Sequence, residues 1–231
     1  RIRAIAILCM VQVHTAAIIP PEGISVDHPI AFVSAAIGGM AAPMFVTISG
    51  WGIYRSATRR SNSGNNNISS WISWMIPRIT ILTICQLLVN SALFIDRGGR
   101  FDWMTPGVLT LLALASLIGP VIVYLTKKQR FSMMLLFIIS PLIIGDLSGI
   151  DLYWSERVSS IGIEEWIERL LLNGTYPAFP WLAFIFLGSL IDGDKENLDN
   201  QNRIVKIGLI IIAISIIYSL YERTPWALTE G

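Results

Sequence analysis

An arginine and a histidine near the start of the chain have a spacing that lets them act together. Ten residues separate Arg3 from His14 within the apolar run RIRAIAILCMVQVH. At about 100° per residue, eleven helical steps bring His14 to within about 20° of Arg3, with about 16 Å between them along the axis. A guanidinium suits phosphate oxygens and an imidazole can accept a proton near neutral pH. The pair therefore predicts an anion-binding group and a base on one helix face, the alternative being a histidine hydrogen-bonded to a neighbouring helix.

Two further residues are candidates for the same chemistry. Arg78 follows Pro77 within an apolar run, where a charge costs about 2.5–3.5 kcal/mol on insertion scales. It either extends to the cytoplasmic interface or binds an anionic group beside Arg3. His28 lies next to Asp27 in a polar loop, as a surface histidine or as an alternative base oriented by the carboxylate.

The composition indicates a membrane protein. Of the 231 residues, 53% are hydrophobic and 14% are charged, and the mean hydropathy is +0.61, whereas soluble domains carry about a quarter charged residues. A net charge of +1 without a basic cluster argues against a nucleic-acid partner. The two cysteines, Cys9 and Cys85, lie in apolar runs, and no zinc-binding cluster or nucleotide-binding glycine motif is present. We therefore expect no metal.

Seven apolar runs are long enough, or nearly so, to cross about 30 Å of hydrocarbon. They are Ile2–Ile19, Pro29–Tyr54, Trp71–Phe94, Trp103–Thr126, Phe131–Ile150, Tyr176–Ile191 and Ile204–Tyr221. The fold class predicted from them is all-α, a polytopic transmembrane helix bundle. We treat residues 1–231 as a single domain, incomplete at its termini. Gln86 and Asn90, four residues apart, predict hydrogen bonds between helices.

The basic residues predict the orientation of the chain. Successive connecting regions alternate between two sets, one for each side of the membrane. Eleven of the seventeen basic residues lie in one set, five lie in the other, and Arg78 lies within a span. The positive-inside rule then places the N-terminus and the loop Ser61–Ser70 in the cytoplasm, and Glu156–Leu172 outside. This outer segment is predicted to be an amphipathic helix, which either lies in the membrane interface or caps the bundle.

Several segments resemble a known family. Arg-x10-His, from Arg3 to His14, resembles the signature of the membrane acyltransferase-3 family. The segments RAIAILCMVQVH, APMFVTISGWGIYRS, TPGVLTLLALASLIGP and YPAFPWLAFIFLGSLI resemble, in this order, prokaryotic relatives of heparan-alpha-glucosaminide N-acetyltransferase. The resemblance implies a bundle of about ten spans that moves an acetyl or other acyl group from cytoplasmic acyl-CoA to an acceptor on the far side.

The resemblance also implies roles for the candidate residues. Arg3, with Arg78, would hold the phosphates of the acetyl-CoA or other acyl-CoA co-substrate, and His14 would be the base near the thioester. In the lysosomal enzyme of this family an asparagine matches His14 and the catalytic histidine comes later, close to where His28 lies here, so both histidines stay candidates. The acceptor would be an amino or hydroxyl group of a sugar or cell-surface glycan.

The alternative function from another class is a secondary transporter of a small polar or anionic substrate, because broken helices and buried polar groups also mark transport pathways. Membrane lipid is a partner under either interpretation. The sequence leaves the oligomeric state open, a homo-oligomer included.

Overall fold

The computed structural model describes residues 2–18, 34, 37–64, 66–149, 151–191, 202, 206, 208–210, 213, 214 and 217. Within these ranges the regular elements are helices, and the one extended pairing is an isolated bridge between Phe94 and Phe101. The all-α prediction is therefore confirmed. The chain divides into two compact units, Arg1–Phe45 with Ile191–Gly231, and Val46–Leu190.

Eight α-helices are described in these ranges, and local signals fix several of their ends. Asn67 caps α3 by accepting a hydrogen bond from the backbone N–H of Ser70, and Thr126 with Gln129 forms a capping box at the start of α5. The helices are α1 (Ile2–Ile18), α2 (Ala41–Asn62), α3 (Ile68–Ala92), α4 (Val108–Ile122), α5 (Lys127–Ile144), α6 (Trp154–Val158), α7 (Gly162–Glu168) and α8 (Ala178–Ile191). Short 3₁₀ turns lie at Ile95–Arg97 and Gly145–Ser148, and a π-helical turn at Arg169–Asn173.

The prediction of seven spans is not supported by the described residues. Two helices are long and apolar enough to cross a membrane, α3 and the helix that starts at Lys127 and continues through its 3₁₀ turn to Ser148. A third span would exist only if Gly162–Asn173 and α8, which are bent by 54°, form one broken span. The bundle of about ten spans is likewise not supported.

The overcount has identifiable physical causes. The predicted span Trp103–Thr126 contains only the 15 residues of α4 in helical form, which reach about 22 Å. The stretch before α4 forms a turn because the carbonyl oxygen of Asp102 accepts a hydrogen bond from the Thr105 hydroxyl. The helix α2, which includes the end of the predicted span Pro29–Tyr54, has 22 residues but continues into the polar and charged sequence RSATRRSN, so it is not apolar enough to count as a span. Most of Ile204–Tyr221 lies outside the described residues.

The core of the second unit is formed where α2, α4 and α8 meet. Its buried members are Val46, Ile53, Leu111, Leu112, Ala115, Ala178, Leu182 and Ile185. Glycines let two of these helices approach at backbone distance: a Cβ on Gly50 would collide with the backbone of Ile185, and one on Gly188 with the carbonyl oxygen of Thr47. Close approach through small residues is the usual packing of membrane helices.

Gln86 and Asn90 link α3 to the start of α4, as predicted. The Gln86 amide donates to the Asn90 side chain at 2.8 Å, and Asn90 donates to the carbonyl oxygens of Trp103 and Thr105 at 3.0 and 2.9 Å. The Gln86 oxygen accepts from the backbone N–H of Leu109 at 3.1 Å. The N-cap residue of α4 makes no side-chain capping bond, so α3 supplies the partner that this helix end needs.

The predicted amphipathic helix Glu156–Leu172 is divided into α6, α7 and the π-helical turn. The Thr105 hydroxyl donates to the carbonyl oxygen of Val158 at 2.7 Å, and Val158 and Leu170 are buried. Ile161 and Ile163, in contrast, are among the most exposed apolar residues described. One side of this segment therefore packs against the rest of the second unit, to which it belongs, and the other presents apolar side chains outward.

Candidate functional site

Arg3 and His14 lie on α1, a helix that is continuous from Ile2 to Ile18. Both side chains are exposed, while Ala6 and Cys9 are buried on a neighbouring face. Helical geometry puts Arg3 and His14 on one face about 16 Å apart along the axis. The structure thus contains the helix on which the predicted pairing depends, and the chemical roles of the two residues stay predictions.

Gln12, two residues before His14, was not singled out by the sequence. Its side-chain oxygen is buried and has no hydrogen-bond partner in the described residues. A Cβ on Gly38 would lie 2.6 Å from that oxygen and 2.8 Å from Cβ of Val13, so the glycine allows the chain to approach α1 here. A buried acceptor without a donor is uncommon, and its only signal in the sequence is an amide within an apolar run.

His28 lies outside the described residues. Its role as the alternative base stays a prediction.

Arg78 belongs to the second unit and lies ten residues into α3, about 15 Å along the axis. Helical spacing puts it on the face that carries buried Trp71 and Gln86. Its Nε atom is buried and has no hydrogen-bond partner in the described part of the chain. An anion would supply the acceptor that this Nε lacks, and the role of Arg78 stays a prediction.

A cleft of about 550 Å³ lies beside α7 and the π-helical turn. Four carboxylates line it, those of Asp146, Glu164, Glu165 and Glu168. The predicted orientation puts this cleft on the outer side.

One wall of this cleft is a hydrogen-bonded network. The buried Arg169 guanidinium donates to Glu165 at 2.7 Å and to the side-chain oxygen of Asn173 at 2.8 Å. Asn173 in turn donates to Glu168 at 2.7 Å. Glu164 is exposed, and in the described residues it has no hydrogen-bond or ion-pair partner. The network therefore fixes two carboxylates and leaves Glu164 available to a ligand.

The signal for this cleft in the sequence is weak. In a continuous amphipathic helix, Glu164, Glu165 and Glu168 would lie on the polar face, toward water. Arg169 and Asn173, one helical turn apart, were the available indication that some of these carboxylates are held by buried donors. In the described residues no group of three His, Cys, Asp or Glu side chains is arranged to hold a metal ion.

Residues 1–203 match the family model described as heparan-alpha-glucosaminide N-acetyltransferase, catalytic. No curated protein and no solved structure matches significantly. The matched range includes α1 with its Arg3 and His14, the helix of Arg78 and the cleft.

Proposed function

Because this chain belongs to the heparan-alpha-glucosaminide N-acetyltransferase family, we propose that it transfers an acetyl or other acyl group from acyl-CoA to an amino or hydroxyl group of a sugar. The observation that carries the proposal is the family match, which covers 203 residues and includes α1. The two long apolar helices fit a membrane protein.

In the proposed reaction the acceptor nitrogen or oxygen attacks the thioester carbonyl. A bond from the acceptor to the acyl carbon forms, the carbon–sulfur bond breaks, and coenzyme A leaves as the thiol after taking a proton. His14 accepts the proton that the acceptor loses, as a general base. His28 is the alternative base. The family match and the single imidazole on the exposed face of α1 support His14.

Two arginines are proposed to hold the phosphates of the donor. Arg3 lies near the start of α1, and Arg78 is the charge on the inward face of α3 without an acceptor among the described residues. A guanidinium can bind two phosphate oxygens at once, which a lysine ammonium cannot do with the same geometry.

The acceptor sugar is proposed to bind on the outer side, where the carboxylate-lined cleft offers acceptors for hydroxyl and ammonium protons. The cytoplasmic N-terminus, the transfer across the membrane and the single domain 1–231 are parts of this proposal. The oligomeric state stays open.

Proteoliposomes that contain the purified chain test the proposal. Labelled acetyl-CoA is supplied on one side and an amino-sugar glycoside on the other, and the acetylated sugar is measured. Transfer that depends on the protein is the expected result. Movement of unmodified sugar without acetylation would instead identify a transporter, and absence of both activities, with no coenzyme A bound to the purified protein, would reject the assignment.

A further inference from the structure

Arg130 holds one end of the second unit together. Only 7% of the residue is exposed. Its guanidinium donates to the carbonyl oxygen of Ser189 in the last turn of α8 and lies 4.1 Å from the centre of the Tyr54 ring. A cation is favourable at the carboxyl end of a helix, so Arg130 joins the first turn of α5 to α2 and α8.

Helix direction shows which residues lie beyond this contact. Ring contacts join Phe137 to Phe179 and Phe186, while Arg130 meets Ser189, so α5 and α8 are antiparallel. Thr58 is one turn after Tyr54 on α2, and Lys127 is about one turn before Arg130 on α5. Trp74 donates to Ser56 on α2 and lies against Gly119 near the end of α4, and α5 begins five residues after α4 ends. The ends of α2 and α4 and the start of α5 therefore lie together at one end of the unit, which we call the basic end.

Three buried polar atoms at the basic end have no hydrogen-bond partner in the described residues: Nε of Arg60, Nε of Arg130 and the hydroxyl of Thr58. The two arginine nitrogens can only donate, and the hydroxyl can donate. Leaving a buried donor unpaired is unfavourable, so buried polar groups nearly always have a partner. Arg60 donates to Ser70 and lies on the opposite side of α2 from Thr58. Thr58 lies one turn beyond Tyr54, the ring that Arg130 contacts, so the donors of Thr58 and Arg130 can share one acceptor.

The charges at the basic end have the sign that an anion requires. Six cations lie in the last turns of α2 and the first turn of α5: Arg55, Arg59, Arg60, Lys127, Lys128 and Arg130. Residues 46–64, 66–70 and 121–130 contain no acidic residue. Asp192, Asp194 and Glu196 follow α8 and lie outside the described residues.

We propose that the basic end binds a phosphate group, through the buried donors of Thr58 and Arg130 and the cations around them. Two sources carry this chemistry, the headgroup of an anionic phospholipid and the phosphates of coenzyme A. Clusters of lysine and arginine next to membrane helices bind anionic headgroups, and guanidinium groups bind phosphate oxygens in any ligand.

The full chain in nanodiscs separates the two sources. In discs of neutral phosphatidylcholine, coenzyme A is titrated and its binding is measured together with the thermal unfolding midpoint. In a second series phosphatidylglycerol replaces part of the neutral lipid. A response to coenzyme A that weakens in the variant described below assigns the coenzyme phosphates to the basic end, whereas a response that the variant leaves unchanged belongs to another site. A response to phosphatidylglycerol that weakens in this variant identifies the headgroup.

The variant that tests the site is Lys127→Gln/Lys128→Gln, which leaves the contacts of Arg130 in place. We expect the affinity for the probe that responds to fall about five-fold for each charge removed. Arg100→Gln, which removes an exposed charge beyond the other end of α3, is the control and should change it less than about two-fold because distant charges are screened.

The proposal is wrong if neither probe has an effect, which is the result expected if the chain's own acidic segment neutralises the basic end. It is also wrong if the control and the double variant respond alike. Acetyl transfer is measured on the same preparations. Transfer together with probe responses that the double variant leaves unchanged rejects only the basic-end site. A probe response that the double variant weakens, without transfer, rejects only the proposed function.

Discussion

Gln86 and Asn90 form a 2.8 Å hydrogen bond on α3, and together they hold the start of α4. Asn90→Ala removes two donors to backbone carbonyl oxygens, one of them buried, and leaves the Gln86 amide without its acceptor. We expect a loss of about 1–3 kcal/mol in unfolding free energy, measured from denaturant unfolding in detergent. Leu88→Ala, on the exposed side of the same helix, is the control. An equal loss in both variants would contradict the role of the amide pair.

The close contact between α2 and α8 depends on Gly50. Gly52, two residues away on the same helix, provides a matched control. A methyl group on Gly50 collides with the backbone of Ile185, whereas one on Gly52 meets nothing within 4 Å. Gly50→Ala should destabilise the protein by about 1–3 kcal/mol through overpacking. Gly52→Ala should be neutral, or stabilising by up to about 1 kcal/mol through helix propensity. Similar unfolding midpoints for the two variants would show that the helices do not pack at this distance.

The sequence predicted well those features that depend on local rules. An amide pair within an apolar helix must find partners, so the interhelical role of Gln86 and Asn90 followed from residue types alone. The continuity of α1, on which the Arg3 and His14 pairing depends, followed from an uninterrupted apolar run. Both predictions needed only the helical period and the penalty for an unsatisfied polar group.

Features set by tertiary contacts could not be predicted in the same way. The apolar residues before α4 do not continue the helix because their backbone groups are bonded to Asn90 and Thr105, and hydropathy does not register this. The contact of Arg130 with Ser189 joins residues that are 59 apart, so the sequence shows Arg130 only as one basic residue of a connecting region. Glu165 and Glu168 line the cleft because hydrogen bonds from Arg169 and Asn173 hold their carboxylates there.

Replacement of Arg78 should weaken the binding of coenzyme A without lowering the stability of the protein. Its buried Nε has no partner in the described residues, so Arg78→Met should leave stability unchanged or raise it, because an uncompensated charge is removed. Affinity for coenzyme A should fall by about 1–3 kcal/mol, and Arg78→Lys should recover only part of it. Equilibrium binding and thermal unfolding of the same samples provide the measurement. Unchanged affinity combined with lower stability would make Arg78 a structural residue.

Cysteine labelling tests the predicted orientation. Ser63 and Ser155 are exposed and lie in segments that the positive-inside rule assigns to opposite sides. With Cys9 and Cys85 replaced by alanine, an impermeant thiol reagent added outside should label Ser155→Cys and should label Ser63→Cys only after permeabilisation. The reverse pattern would invert the orientation and the proposed direction of acyl transfer.

Single-turnover acetyl transfer by His14→Ala tests the central claim most directly. Thr15→Ala, the exposed neighbour on α1, is the control for disturbance of the helix, and His28→Ala tests the alternative base. If His14 is the general base, its replacement should slow transfer by about 10²–10⁴-fold, with little change in donor affinity and little effect of Thr15→Ala. His28→Ala should mainly raise the acceptor KM. Loss of transfer in His28→Ala with near-normal transfer in His14→Ala would move the chemistry to the other histidine, and normal rates in both variants would contradict the proposed mechanism.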